Sequence, residues 1–201
     1  MTMYTPRHFD SNNRDDALAL IRAWPFATLI TAADSEPRIT HLPLLLEGEH
    51  LTGHMARANP HWQAFAAGHT VAVFHGPHAY ISPSWYVVPE REVPTWNYAT
   101  VHVQGTPLLI DDAVAKLAIV DAATAAFENP ANPWQRKVEG ARLEAMLNSI
   151  VAFHIPLTTL EAKFKMNQNK APQDRAQVIT QLRASAHPDL AAMADWMSAH
   201  E

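Results

Sequence analysis

With 201 residues, 48% of them hydrophobic and no cysteine, the chain is long enough for one sizeable core. It excludes general disorder, disulfides, thiolate metal sites and cysteine nucleophiles. Only 17% of residues are charged, which points to apolar surface covered by a second copy of the chain, and the formal charge of −5 argues against direct binding of nucleic acid. Along the chain, residues 12–24 predict a helix capped by Asn12 or Asn13, with Asp15 and Asp16 at its positive end and Ala17, Leu18, Ile21 and Trp24 on one face. Met1 to Asp16 holds no apolar leader-like run, and no stretch reaches the roughly 20 apolar residues of a membrane span. A cytoplasmic protein with no membrane partner is expected.

The period then becomes that of strands. Residues 26–32, 38–46, 50–56 and 70–75 are short β-type runs separated by Asp, Ser, Gly and Pro. Asn59 and Pro60 open a short helix reaching Ala67, and 80–87 and 95–105 are further strands. A helix over 111–127 is capped by Asp111 or Asp112, another covers 139–148, and 149–156 returns to strand. Residues 173–185 and 188–199 close the chain as amphipathic helices with Val178, Ile179, Leu182, Leu190, Met193 and Trp196 on their apolar faces. Strands and helices do not alternate regularly. The expected fold class is mainly β with peripheral helices (α+β), a closed barrel rather than a doubly wound sheet. One domain over 1–201 is expected, with 172–201 as a helical tail on or beside the barrel.

Twelve histidines raise the question of a metal. His50 and His54 lie in a strand-like run, where residues four apart stand roughly 13 Å from each other, too far for one zinc. No H-E-x-x-H, G-x-S-x-G, G-x-G-x-x-G or P-loop pattern occurs, so no metal site or glycine-cradled nucleotide of those types is expected. Five clusters remain. "ITHLPLLL" (Ile39–Leu46) sets Thr40, His41 and Pro43 in an apolar strand. "LTGHMARANPHW" (Leu51–Trp62) leaves its strand through Gly53 and brings His54, Arg57 and Asn59 to a helix start, where free backbone N–H groups suit an anion. "YISPSWY" (Tyr80–Tyr86) and "VPTWNY" (Val93–Tyr98, with Thr95 and Asn97) gather aromatics, hydroxyls and an amide. "LEAKFKMNQN" (Leu160–Asn169) alternates Lys163 and Lys165 before Gln168 and Asn169. Singly, these aromatics read as core or interface, Arg57 as a solvated side chain and the lysines as a strand edge. Together they suit one ligand: a flat ring, its polar edge and a phosphate.

These clusters, with "MYTPRHF" (Met3–Phe9) and "PFATLIT" (Pro25–Thr31), resemble the PaiB family, described as FMN-binding negative transcriptional regulators. The likeness runs from Met3 to about Leu182. It implies an FMN-binding split β-barrel of the pyridoxamine-phosphate-oxidase type, a homodimer with FMN at the interface. It places the flavin near Thr40, His41 and Pro43 and assigns its phosphate to His54, Arg57 and Asn59. Thr95, Asn97, Lys163, Lys165, Gln168 and Asn169 follow as further cofactor residues, from the same or the partner subunit. His41 or His54 would act as proton donor or steric guide. Asn167 stands where the family pattern leads one to expect Ser. The function implied is flavin-dependent redox or sensing of an unknown small molecule, with regulation of transcription indirect, because the tail helices lack a basic reading face. Two alternatives stand beside it: a DNA-binding repressor, and a haem-binding or haem-degrading split-barrel protein.

Overall fold

The computed structural model describes residues 3–9, 13–33, 36–66 and 68–200. Helix α1 covers Arg14–Ala23, and Asn13 caps it, its Oδ1 accepting the Asp15 N–H at 3.0 Å; Asn12, the alternative cap, lies outside the described residues. Strands β1 (Phe26–Ala33), β2 (Glu36–Pro43), β3 (Leu45–Glu47) and β4 (His50–Ala56) follow, then a one-turn 3-10 helix over Pro60–Ala64 in place of the predicted longer helix. The predicted strand over 38–46 is broken at Leu44, which is fully buried between β2 and β3.

The runs 70–75 and 80–87 are not separate strands. Residues His69–Ile81 form one long strand, β5, and the chain then turns through 3-10 helices at Pro83–Trp85 and Pro89–Arg91. Strand β6 covers Thr95–Gln104 and the short β7, absent from the sequence expectation, covers Leu108–Ile110. Helices α2 (Ala113–Phe127) and α3 (Gly140–Asn148), strands β8 (Ile150–Pro156) and β9 (Thr159–Lys165), and helices α4 (Pro172–Ala184) and α5 (Pro188–Ala199) complete the order. Asp112 caps α2 by accepting the Ala115 N–H at 2.8 Å. Among the described residues no helix is long and apolar enough to cross a membrane.

The expected α+β class is borne out. The strands make two sheets, one ordered β2-β1-β5-β6-β9 and one ordered β3-β4-β8-β7, within a mostly antiparallel α+β architecture. The residues divide into two compact units: 24–74 with 102–160, and 1–23 with 75–101 and 161–201. The first unit buries Leu29, Leu44, Leu51, Phe74 and Ile155, and Phe65 meets Phe153 edge-on at 5.0 Å. The second buries Leu20, Ile21, Ile81, Val101, Val178, Leu182 and Met193, with α4 packed on α5 and Phe164 edge-on to Trp196.

Candidate functional site

The predicted residues fall into two groups, one in each compact unit. In the first, β1 and β2 pair with Leu29 opposite Thr40 and Thr28 opposite His41. Side chains alternate across a strand, so Thr40 shares a face with Leu29, Thr31 and Leu42, while His41 and Pro43 lie on the other face with Phe26 and Thr28. The sequence expectation set Thr40, His41 and Pro43 together; the pleat divides them between two faces.

On the inner face a chain of polar groups runs through the core. Thr70 Oγ1 is 2.8 Å from Thr31 Oγ1, which is 2.8 Å from His61 Nε2. His61 Nδ1 is 2.8 Å from Thr40 Oγ1, and Asn59 Nδ2 donates to the same hydroxyl at 3.0 Å. Asn59 Oδ1 accepts the His61 N–H at 3.0 Å, which fixes the orientation of the amide. Thr31, Thr70 and His61 are no more than 2% exposed, and burial, with the nearby Arg38, holds the His61 pKa below its ordinary value. His61 was missed from sequence, although the Asn-Pro-His spacing that lets Asn59 cap residue 61 was its available signal. The same cap occupies the N–H group that the sequence reading left free for an anion.

On the outer face Thr28 Oγ1 lies 3.1 Å from His41 Nδ1, and Phe26 and Ile39 are 63% and 56% exposed. Strand β4 covers the expected 50–56 in full, and Gly53 within it serves close packing: a Cβ there would lie 2.6 Å from Leu44 Cδ2. His54 is half-buried in β4, and burial lowers its pKa. Arg57, just past the strand, donates from Nε and Nη2 to the carbonyls of Asn148 and Ile150 at 2.7 and 3.0 Å, and lies over the Trp62 ring. It thereby closes the C-terminal end of α3, and three of its five N–H groups take no part in these two bonds.

In the second unit, Lys165 Nζ donates to Thr95 Oγ1 and to the Trp96 carbonyl. Lys163 Nζ donates to the Tyr4 carbonyl at 2.9 Å and lies over the rings of Tyr4 and Tyr98. Burial and the neighbouring Lys163 lower the Lys165 pKa. Asn97 is fully buried; among the described residues its Nδ2 donates to Met197 Sδ at 3.5 Å and its Oδ1 has no hydrogen-bond partner. Gln168 folds back to accept the Met166 N–H at 2.7 Å and donate to the Phe164 carbonyl, while Asn169 is exposed. Asn167 adopts a left-handed conformation, φ 61°, which Asn tolerates better than Ser, and its Nδ2 donates to Tyr86 Oη at 2.8 Å. The departure from the expected Ser therefore suits the local backbone. No cluster of three or more His, Asp or Glu able to hold a metal occurs among the described residues.

A family model described as "Putative FMN-binding domain" matches residues 3–159. The protease synthase and sporulation protein PAI 2 of Bacillus subtilis is 35% identical over 202 residues, covering 97% of this chain and 96% of the relative. The uncharacterized protein YKL070W of Saccharomyces cerevisiae is 31% identical over 137 residues, covering 55% of this chain and 80% of the relative. Among solved structures, the flavocytochrome Anf3 of Azotobacter vinelandii aligns with a TM-score of 0.67 and 15% identity, over 86% of this chain and 78% of its own. The FAD and heme binding protein of Mycobacterium smegmatis aligns with a TM-score of 0.61 and 18% identity, over 83% and 78%. These likenesses are in the fold, and they agree with a split-barrel architecture.

Proposed function

The chain belongs to the PaiB family of FMN-binding domains, and from that premise we propose that it is a homodimeric flavin-dependent redox or sensing protein acting on a small molecule. Its cofactor is FMN. The residue types fit that group. In the first unit Arg57 keeps spare N–H donors for a phosphate, and Thr40 and Asn59 are hydrogen-bonding groups of the kind a heteroaromatic edge needs; in the second, Lys163 and Lys165 supply charge and Thr95 and Asn97 polar groups of the same kind. Bound FMN supplies the electron transfer, while the protein supplies orientation and electrostatics. His41 and His54 are the protein groups suited to hold or give a proton there. Thr28 orients His41, and burial keeps His54 towards its neutral form.

The observation that carries the dimer is the outer face of β2. This edge strand exposes Ile39, His41 and Pro43, and β1 beside it exposes Phe26. A second copy laid on that face would remove the apolar surface from water. An indirect effect on transcription agrees with α4. Its Asp174 accepts the Val87 N–H, its Arg175 holds the Met197 and His200 carbonyls, and its Arg183 meets Asp195 and Ser198, so its charges serve packing.

The test is the visible spectrum of the purified protein after addition of FMN and desalting, with sedimentation in parallel. Flavin bands that survive desalting on a dimer are expected; a colourless monomer overturns the reading. The haem alternative draws on the two structural relatives named as a flavocytochrome and a haem-binding protein. A Soret band on haem titration, lost when one histidine is changed to Ala, would favour it.

A further inference from the structure

The hydrogens in the Thr70–Thr31–His61–Thr40 chain can be counted. Asn59 Nδ2 can only donate, so it occupies one lone pair of Thr40 Oγ1. If the neutral His61 ring carries its proton on Nδ1, that N–H fills the second lone pair of Thr40. Thr31 then gives its hydrogen to Nε2, and Thr70 gives its own to Thr31. Every hydrogen in the buried part of the chain has an acceptor, and the one left over is the O–H of Thr40, the half-buried end.

If the ring proton sits on Nε2 instead, Thr40 must donate inward to Nδ1. Thr31 then receives from the ring, and either Thr31 or Thr70 keeps a hydrogen with no acceptor in the chain. Both hydroxyls are at most 1% exposed, and an unsatisfied donor at such depth is costly.

We propose that His61 is a positioning residue: held as the Nδ1–H tautomer, it turns Thr40 Oγ1 into a fixed hydrogen-bond donor for an acceptor atom of the bound ligand. This rests on the flavin reading for the identity of that ligand, whose acceptors are the ring carbonyl and imine groups, the ribityl hydroxyls or the phosphate oxygens. A hydroxyl with both lone pairs filled from behind cannot accept, so the site presents a donor at this point and discriminates against a ligand donor placed there.

Nitrogen NMR of the flavin-free protein at pH 7 reads the tautomer directly. A protonated Nδ1 and an unprotonated, hydrogen-bonded Nε2 at His61 are expected. A proton on Nε2, or on both nitrogens, overturns the proposal. Fluorescence titrations with FMN and with riboflavin then test the donor in wild type, Thr40→Val and Thr40→Ser. Thr40→Val should weaken FMN binding roughly tenfold, with Ser restoring it. An equal loss for riboflavin assigns the acceptor to the ring or its ribityl chain, and a loss confined to FMN assigns it to the phosphate. Unchanged FMN affinity in a folded Thr40→Val overturns the donor role. Wild-type protein that binds neither compound overturns the flavin reading instead, and the donor assignment then stands or falls on the nitrogen spectrum.

Discussion

Arg57 carries two roles that pull a mutation experiment in different directions. Its guanidinium closes the end of α3 and the start of β8 through two carbonyls, and its remaining N–H groups are the phosphate candidates. Arg57→Ala should therefore lower stability by about 1–2 kcal/mol as well as weaken FMN retention. Chemical denaturation and flavin content, measured on the same preparation, separate the two; full stability with full flavin would remove Arg57 from both roles. Histidine charge sets a second expectation. Burial lowers the pKa values of His54 and His61, with Arg38 adding to the effect at His61. Between those lowered values and the ordinary value near 6.5, the unfolded chain binds more protons than the folded one. Stability is complete above about pH 6.5 and declines as the pH falls through the folded pKa values. Melting curves from pH 8 to 5 should show that decline, shallower in His54→Gln than in wild type, and identical profiles would contradict the assignment.

At the scale of elements, periodicity located the five α-helices and most of the longer strands, and punctuation misled where packing overrode it. Gly76 and Pro77 read as a break between two strands, yet β5 runs through them. The inward–outward alternation slips by one residue there, both being buried, as at a β-bulge. The glycine is required because a Cβ would lie 2.8 Å from Leu20 Cδ1 and 3.2 Å from the Ala99 carbonyl, contacts made only after folding. Three-residue strands such as β7 exist through pairing with β8 and leave almost no pattern of their own. In the candidate site the polar interruptions at Thr40 and Asn59 were legible, because hydroxyls and amides in apolar runs need partners. Thr31 and Thr70 were not, since threonine is an ordinary strand residue. At Gly53, substitution by Ala would push Leu44 aside and cost roughly 1–3 kcal/mol in a denaturation experiment. A neutral result would show that Leu44 has room to move.

For the molecule as a whole, the exposed apolar side of β1 and β2 is the face on which the proposed dimer rests. Ile39→Glu puts a charge into that face and should shift sedimentation from a dimer towards the 22.3 kDa single chain while the circular dichroism stays native. If the flavin is shared between copies, its affinity should fall with protein concentration as the dimer dissociates. A dimer that survives Ile39→Glu would place the interface elsewhere.

Asn97 bears on a different kind of experiment. Its amide sits at zero exposure, and among the described residues its Nδ2 bonds to a sulfur while its oxygen has no hydrogen-bond partner. A leucine of similar bulk would relieve that mismatch, so random libraries screened for heat tolerance should return hydrophobic replacements at 97 early. Such survivors are informative: a clone that melts later yet emerges from the column without its yellow colour identifies the amide as one kept for the ligand rather than for the fold.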